Sequence, residues 1–407
     1  MSEAISTQCC IAGGGPAGIM LGFLLARAGV RVVVLEKHAD FFRDFRGDTV
    51  HPSTLELMAE LGLLDAFLKV PHQKIETLSG LIGDERVHMV DFRHLPTRCK
   101  FVALMPQWDF LDFLAGQARR YPKFDLRMNA QATDLIHENG ICVGVSVTTP
   151  DGPLSILADL VVACDGRHST LRDKAGLVSD AFGAPMDVLW FRLSRLASDG
   201  AETFGHVDAG RMMIMIDRGD YWQCAYVIAK GGFDRIKAEG LPAFRAGVLA
   251  LSPFLERRVE ELREWGDVKL LSVQVDRLRQ WWRPGLLAIG DAAHAMSPIG
   301  GVGVNIAVQD AVAAANQLAA PLRAGRATDA DLAAVQARRE RAVKLTQWGQ
   351  LQIQDRMIGR VLSASGQIKP PLALKLFNLF PVLRRLPARL VGLGVQPEHI
   401  HTPEAAA

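Results

Sequence analysis

Three short stretches of this 407-residue chain hold residue types whose spacing could do chemistry. The first is Gly13-Gly14-Gly15-Pro16-Ala17-Gly18, with Glu36 eighteen residues beyond Gly18 and Lys37 beside it. An apolar run, residues 8–12, precedes it. A helical pattern and a second apolar run, residues 30–35, follow, so the segment reads as strand, glycine turn, helix and strand. In such a unit Gly13 makes the tight turn and Gly15 lets the backbone meet a pyrophosphate. Gly18 lets helix and strand pack closely, and the acid at the end of the second strand receives ribose hydroxyls. Pro16 and Ala17, in the turn before a helix read over residues 19–28, are further cofactor-binding candidates, since the positive end of that helix favours the diphosphate.

The second stretch, Asp165-Gly166-Arg167-His168-Ser169-Thr170-Leu171-Arg172, follows the apolar run 160–163 and precedes a helix. Read alone it is also an ordinary turn with a solvated arginine. The third is Gly290-Asp291-Ala292-Ala293-His294, continuing through Pro298, Gly300, Gly301, Gly303, Val304 and Asn305 to Asp310. It lies between the apolar run 286–289 and an alanine-rich helix. Its glycines place bare amides at a helix N-terminus, where a flat, partly anionic ligand can approach. Alone it could be a turn that only tightens a strand-to-helix joint. Three nucleotide-type stretches, each at a strand-to-helix junction and spread over three hundred residues, ask for one extended ligand. FAD is the natural candidate. A second GxGxxG is absent, so a nicotinamide nucleotide would visit transiently.

The elements that must position these stretches imply an α/β protein. We expect a Rossmann-like FAD-binding domain from residues 1–74, 103–180 and 277–330, and an inserted substrate domain with a mixed or antiparallel sheet from residues 75–102 and 181–276. Residues 331–407 form a helical C-terminal region. Within this frame, residues 126–128, 132–137 and 141–148 read as a small antiparallel meander. Residues 233–264 read as helix and 268–276 as one strand, and Ser53 with Glu56 has the spacing of a capping box. Residues 372–393 mix leucines with Lys375, Arg384, Arg385 and Arg389. That pattern suits a helix docked on its own domain, with a membrane surface or a subunit partner as alternatives.

The composition is that of a globular chain, 49% apolar with a formal net charge of +2. Acids and bases are interspersed, which gives no reason to expect nucleic acid as a partner. Six scattered cysteines without Cys-x-x-Cys spacing suggest neither metal nor disulfides and fit a reducing cytoplasm. No run of eighteen apolar residues predicts a membrane span.

With the three motifs in this order, the chain resembles the single-component flavoprotein aromatic hydroxylases, the para-hydroxybenzoate hydroxylase-like monooxygenases, over roughly residues 8–320. The resemblance implies that Asp165 and Arg172 serve both FAD and the pyrophosphate of NAD(P)H. It places Asp291, with Gly290, at the flavin ribityl, and Pro298, Gly301, Gly303, Val304 and Asn305 beside the isoalloxazine. Arg46 and Gln107 match positions that contact FAD, and Ala132 matches one near the adenine. The implied activity is hydroxylation of a small phenolic or heteroaromatic substrate. NAD(P)H reduces FAD, O2 adds at the flavin 4a carbon, and the distal oxygen of the hydroperoxide is transferred. A pocket base would help a phenol react. His51 is the first candidate, with Tyr226, Arg192 and Arg211 as further polar residues, Pro298 in the flavin loop, and Arg46 moving with the flavin. The Met-Ile run 212–216 is either core or an apolar substrate wall. A halogenase or reductase of the same fold remains an alternative, as does a non-catalytic flavin-binding sensor or scaffold, although no Trp-x-Trp-x-Ile-Pro stretch is present. A homodimer is a further possibility.

Overall fold

The computed structural model describes residues 4–42, 49–199, 204–366 and 368–405. Its first sheet is built on the strand Ala4–Ala12, which runs parallel to Val32–Leu35 on one side and to Gly152–Ala163 on the other. Phe124–Arg127 extends it parallel beyond Val32–Leu35, and Leu286–Ala288 does so beyond Gly152–Ala163. Val32–Leu35 is apolar and buried throughout, and so are the last four residues of Ala4–Ala12 and of Gly152–Ala163, as a parallel sheet covered on both faces requires. The helices Gln107–Ala118, Pro16–Arg27 and Gly303–Arg323 pack side by side in this domain. The twelve-residue strand Gly152–Ala163 meets Ala4–Ala12 along one edge and shares its other edge between two partners. Its first half pairs antiparallel with Ile141–Thr149, and its last residues pair with Leu286–Ala288.

Several local expectations change. The meander has two strands, Gln131–Glu138 and Ile141–Thr149, because Phe124–Arg127 joins the parallel sheet instead. Alternating polarity marks a strand without naming its neighbour. The helix Pro52–Glu60 has His51 at its N-cap and Pro52 at its first position, so its cap lies two residues before the expected Ser53. Ser53 is therefore inside the helix and the Ser53/Glu56 capping box does not form. The Glu56 carboxylate instead accepts the Arg98 amide at 2.6 Å.

The second large sheet has seven strands in the order Lys269–Leu271, Met186–Ser194, Tyr221–Ala229, Arg211–Asp217, Phe204–Asp208, Thr77–Ile82 and Glu85–Asp91. All neighbours are antiparallel except Phe204–Asp208 with Thr77–Ile82. The expected strand 268–276 is split: Lys269–Leu271 belongs to this sheet, and Asp276–Leu278 pairs with Ser179–Ala181. The expected helix 233–264 breaks at Gly240, whose φ of +90° no helix accepts, into Phe233–Glu239 and Leu241–Leu251, followed by short 3-10 turns. A small sheet of Thr49–Val50, Val102–Leu104 and Gln73–Ile75 stands where the chain leaves and re-enters the first domain.

After Gly303–Arg323, Thr328 and Asp331 form a reciprocal capping box that starts the long helix Asp329–Ile353. The chain then turns back, and Leu372–Leu379 and Arg385–Gly392 lie along Glu85–Asp91. Among the described residues no helix is long and apolar enough to cross a membrane, no disulfide forms and no metal-ligating cluster exists.

Candidate functional site

The three motifs meet at the carboxyl ends of the parallel strands. Gly13 has φ +110°, and a Cβ there would collide with the Cys164 carbonyl and lie 2.9 Å from the Asp165 amide nitrogen. The first and second motifs therefore touch through a glycine that only glycine can supply. Gly290 has φ +61°, and a Cβ there would lie 3.2 Å from the Ala17 methyl, so the third motif packs against the start of the first helix. A Cβ on Gly18 would overlap the Gly13 carbonyl oxygen.

What surrounds this junction suits a dinucleotide. A Cβ added at Gly15 would meet nothing within 4 Å, so the turn has an open side. The helix Pro16–Arg27 has no side-chain cap on its first amides, leaving donors for an anion. Glu36, 8% exposed, accepts Gly14 N–H at 3.1 Å and His38 N–H at 3.0 Å, with Lys37 exposed beside it. Asp165 Oδ2 accepts the Leu171 amide at 3.2 Å, while its buried Oδ1 has no hydrogen-bond partner. Burial raises the Asp165 carboxyl above its ordinary range, and its hydrogen bonds with Ser169 and the Leu171 amide offset only part of this. Arg172 donates to the Arg167 carbonyl at 3.0 Å and keeps a buried, unpaired Nη1. Asp291 is one-third exposed and pairs with Arg167 at 3.3 Å. Gln107 is half-buried at the first turn of its helix, and Ala132 is half-buried in its strand opposite Val147. Arg46 lies outside the described residues.

The third-motif loop is held from three directions. Asn305 Oδ1 accepts His51 N–H at 2.8 Å and the Thr54 hydroxyl at 2.7 Å, and its amide donates to the Thr49 carbonyl at 3.0 Å. Thr49 in turn donates to the Gly301 carbonyl at 2.7 Å, and Gly301, φ +62°, leaves the space that Thr49 fills. Pro298 has no amide hydrogen, and its carbonyl accepts Gly301 N–H at 3.0 Å, so its contribution is the shape of the turn. The helix Gly303–Arg323, opened by Gly303, Val304 and Asn305, starts without a side-chain cap and presents its positive end there.

His51 does not sit as a substrate base. It is 1% exposed, and Nδ1 donates to the Val391 carbonyl at 2.7 Å. Burial pushes the imidazole down to about 4, outweighing that hydrogen bond, so the ring is neutral at pH 7. Its geometry supports an anchoring role between the Pro52–Glu60 helix and the C-terminal segment. Tyr226 is also turned away, packed edge-on against Phe244 at 5.4 Å on the helix-covered face of the second sheet. Arg192 is exposed, lying over the Tyr221 ring, and Arg211 is exposed.

Sequence reasoning placed His294 and Asp310 in the third stretch but missed Arg339, Gln347, Gln350 and Glu398, which hold the loop from behind. Asp310, fully buried, accepts Gly290 N–H at 3.1 Å, Arg339 Nε at 2.9 Å and the His294 ring at 2.6 Å. Burial would raise its carboxyl, but the attraction of His294 and Arg339 overrides this and holds it below the usual range. Arg339, 1% exposed, continues to Glu398 at 3.3 Å and the Gln396 carbonyl at 3.0 Å, tying the loop to the chain's end. Gln350 donates to the Ser297 and Ile299 carbonyls at 2.9 and 2.8 Å, and Gln347 donates to the Asp276 and Ala295 carbonyls at 2.7 and 3.0 Å. Glutamines three apart on a polar helix look solvated in sequence, and nothing there marks them as buried.

The loop also finds the second sheet. Met213 and Met215 point into the helix-covered core with Leu189, Phe191 and Tyr226. Met212 and Ile214 point the other way, into a cluster with Trp190, Val188, Ala225 and Ile299 of the third-motif loop. The Met-Ile run is thus both core and wall, split by the period of two. On the same sheet face as Met212, Gln223 is 3% exposed and accepts from Arg218 Nε at 3.1 Å.

A family model described as FAD binding domain matches residues 6–348. The chain is 30% identical over 398 residues to 6-methylpretetramide 4-monooxygenase of Streptomyces rimosus, an alignment that covers 96% of this chain and 93% of that protein. It is 25% identical over 332 residues to para-nitrophenol 4-monooxygenase of Pseudomonas sp. strain WBC-3, which covers 78% and 79% respectively. Among solved structures, p-nitrophenol 4-monooxygenase PnpA from Pseudomonas putida DLL-E4 superposes with a TM-score of 0.75 at 20% identity, covering 96% of this chain and 98% of that one. The fold is shared well beyond the three motifs.

Proposed function

The chain belongs to the FAD-binding-domain family and is an FAD-dependent monooxygenase of the aromatic hydroxylase type; from that premise we propose that it uses NAD(P)H and O2 to hydroxylate a small phenolic or heteroaromatic substrate. The observation that carries this reading is the packing of Ile299, in the third-motif loop, against the Trp190–Met212–Ile214 face of the second sheet. That contact brings the flavin loop and an apolar wall to one place, a setting that suits a flat aromatic ring.

When bound, FAD supplies the oxygen-activating chemistry that the protein cannot. The chain's own residues divide the remaining work. Gly15 and the uncapped amides of Pro16–Arg27 would take the diphosphate, with Glu36 and Lys37 at the ribose and Asp165 and Arg172 closing the other side. Asp291 would take ribityl hydroxyls. The N-terminus of Gly303–Arg323 would favour negative charge developing on the ring system beside it. Pro298 shapes the loop. Trp190, Met212 and Ile214 would exclude water and hold the substrate ring by apolar contact, and adaptable methionine suits an aromatic ligand. Gln223, buried on the same face, is a better-placed polar contact for a substrate hydroxyl than His51.

The test is anaerobic stopped-flow reduction of the purified flavoprotein by NADH and NADPH with a panel of phenols, anilines and heteroaromatic acids, followed by admission of oxygen. A compound that speeds reduction and leaves carrying one added oxygen supports the proposal. Reduction insensitive to every compound, with oxygen returned only as peroxide, counts against it and favours a reductase or a non-catalytic flavin-binding role.

A further inference from the structure

The helix Leu372–Leu379 is docked inside out. An amphipathic helix packed on its own domain ordinarily buries its apolar stripe and shows its polar face to water. Here the polar residues face the protein. Lys375 pairs with Glu85 at 2.9 Å, and the Asn378 amide spans the free edge of strand Glu85–Asp91, donating to the Arg86 carbonyl at 2.8 Å and accepting the His88 amide at 3.0 Å. That exchange satisfies an edge strand that would otherwise be open to pairing. It leaves the leucines outside. Leu372, Leu376 and Leu379, at helical spacing, are 82%, 44% and 71% exposed.

The following segment repeats the pattern. Arg385–Gly392 rests on the protein through small residues, with buried Ala388 beside Phe92 and Leu95, and Gly392 so close to Leu95 that a Cβ would lie 2.7 Å from it. Its outward lines are Leu386 with Leu390 and Arg385 with Arg389, each pair one turn apart and exposed. Phe380 and Val382, in the connection, are 55% and 59% exposed. A contiguous face that leaves this many large apolar side chains in water marks an interaction site.

Charge identifies the partner. Between Asp355 and Glu398 the sequence holds seven Lys or Arg and no Asp or Glu. A two-fold interface pairs a patch with its own copy, so a second copy docking through this face would bring two cationic surfaces together. Leucines and arginines displayed together on one short helical segment instead suit an interface where apolar side chains enter acyl chains and cations meet anionic headgroups. We propose that residues 372–390 form a peripheral docking surface for an anionic lipid bilayer, lying on the membrane without spanning it.

Purified FAD-loaded protein is mixed with vesicles of phosphatidylcholine alone, or of phosphatidylcholine with about one-third phosphatidylglycerol, and bound protein is measured by co-sedimentation. The expected result is binding to the anionic vesicles that weakens when salt rises from about 0.1 to 0.5 M. Leu379→Gln with Leu386→Gln, or Arg385→Gln with Arg389→Gln, lowers that binding by roughly tenfold or more, since each surface cation contributes about fivefold. All four positions are exposed, so FAD content and thermal unfolding stay unchanged, which separates lost docking from lost folding. Equal binding to neutral vesicles overturns the proposal. So does the absence of vesicle binding, and a dimer in light scattering that only the leucine variant dissociates would assign the face to a second copy.

Discussion

Two glycines three residues apart in the first motif respond in opposite ways to the same added methyl group. At Gly15 the backbone has φ −76° and ψ −175°, which alanine adopts freely, and its Cβ would meet no atom within 4 Å. Gly15→Ala should therefore leave the apoprotein as stable as before, or firmer by roughly 0.4–1 kcal/mol through the restricted unfolded chain. The methyl would instead project into the open side of the turn, where the diphosphate is proposed to meet the helix amides. Losing one charge-assisted hydrogen bond costs roughly 1.5–3 kcal/mol, or about a 10- to 150-fold weaker FAD Kd. At Gly18 the methyl would overlap the Gly13 carbonyl oxygen, and the obstacle is backbone that cannot rotate aside. Gly18→Ala should cost about 3 kcal/mol of apoprotein stability, the upper end for overpacking. Thermal and denaturant unfolding of the apoproteins, with FAD titration followed by flavin fluorescence, separates the two effects. An FAD affinity for Gly15→Ala within twofold of wild type would refute the placement of the diphosphate.

Four further outcomes follow from the same structure. His51 titrates at about 4 when folded against an ordinary 6.5, so the folded state loses relative stability as pH falls from about 6.5 towards 4, by up to roughly 3 kcal/mol. His51→Asn should flatten that part of the pH–stability curve, and an unchanged slope would mean the ring is not buried as described. Asp310→Asn leaves Arg339 buried with Glu398 as its remaining acid and should destabilise by roughly 3–5 kcal/mol in unfolding experiments. A loss under 1 kcal/mol would show that the network is solvated. Gln350→Leu frees the Ser297 and Ile299 carbonyls and should raise the peroxide released per NAD(P)H consumed, with little change in FAD content. Asp291→Ala should weaken FAD retention while the fold stays intact, because that side chain is one-third exposed and, among the described residues, pairs with Arg167 alone; unchanged affinity would count against its ribityl role.

The glycine framework of the candidate cofactor site was legible in the sequence. Gly13, Gly18 and Gly290 announce themselves because positive φ and close backbone approach exclude every other residue type, so their demand is written in the residue itself. The substrate side was far less legible. His51 looked like a base because it follows the Arg46 loop, yet burial and the Val391 carbonyl make it an anchor. Tyr226 sits on a strand that does reach the site, but strand periodicity sends it to the opposite face.

The sequence by itself determined the parallel nucleotide-binding sheet, the insertion of a second sheet and the identity of a flavin-type ligand. Those follow from local rules: glycine geometry, helix N-termini and apolar periodicity act within a few residues of one another. Only the tertiary structure decided what stands behind the site. Asp310, Arg339 and Glu398 are separated by tens of residues, and a buried carboxylate is stable only once its distant cations arrive. The inverted docking of Leu372–Leu379 has the same origin. A leucine stripe specifies an apolar face, but which side of the helix meets the protein was settled by Asn378 and Lys375 binding the edge of a strand nearly three hundred residues earlier.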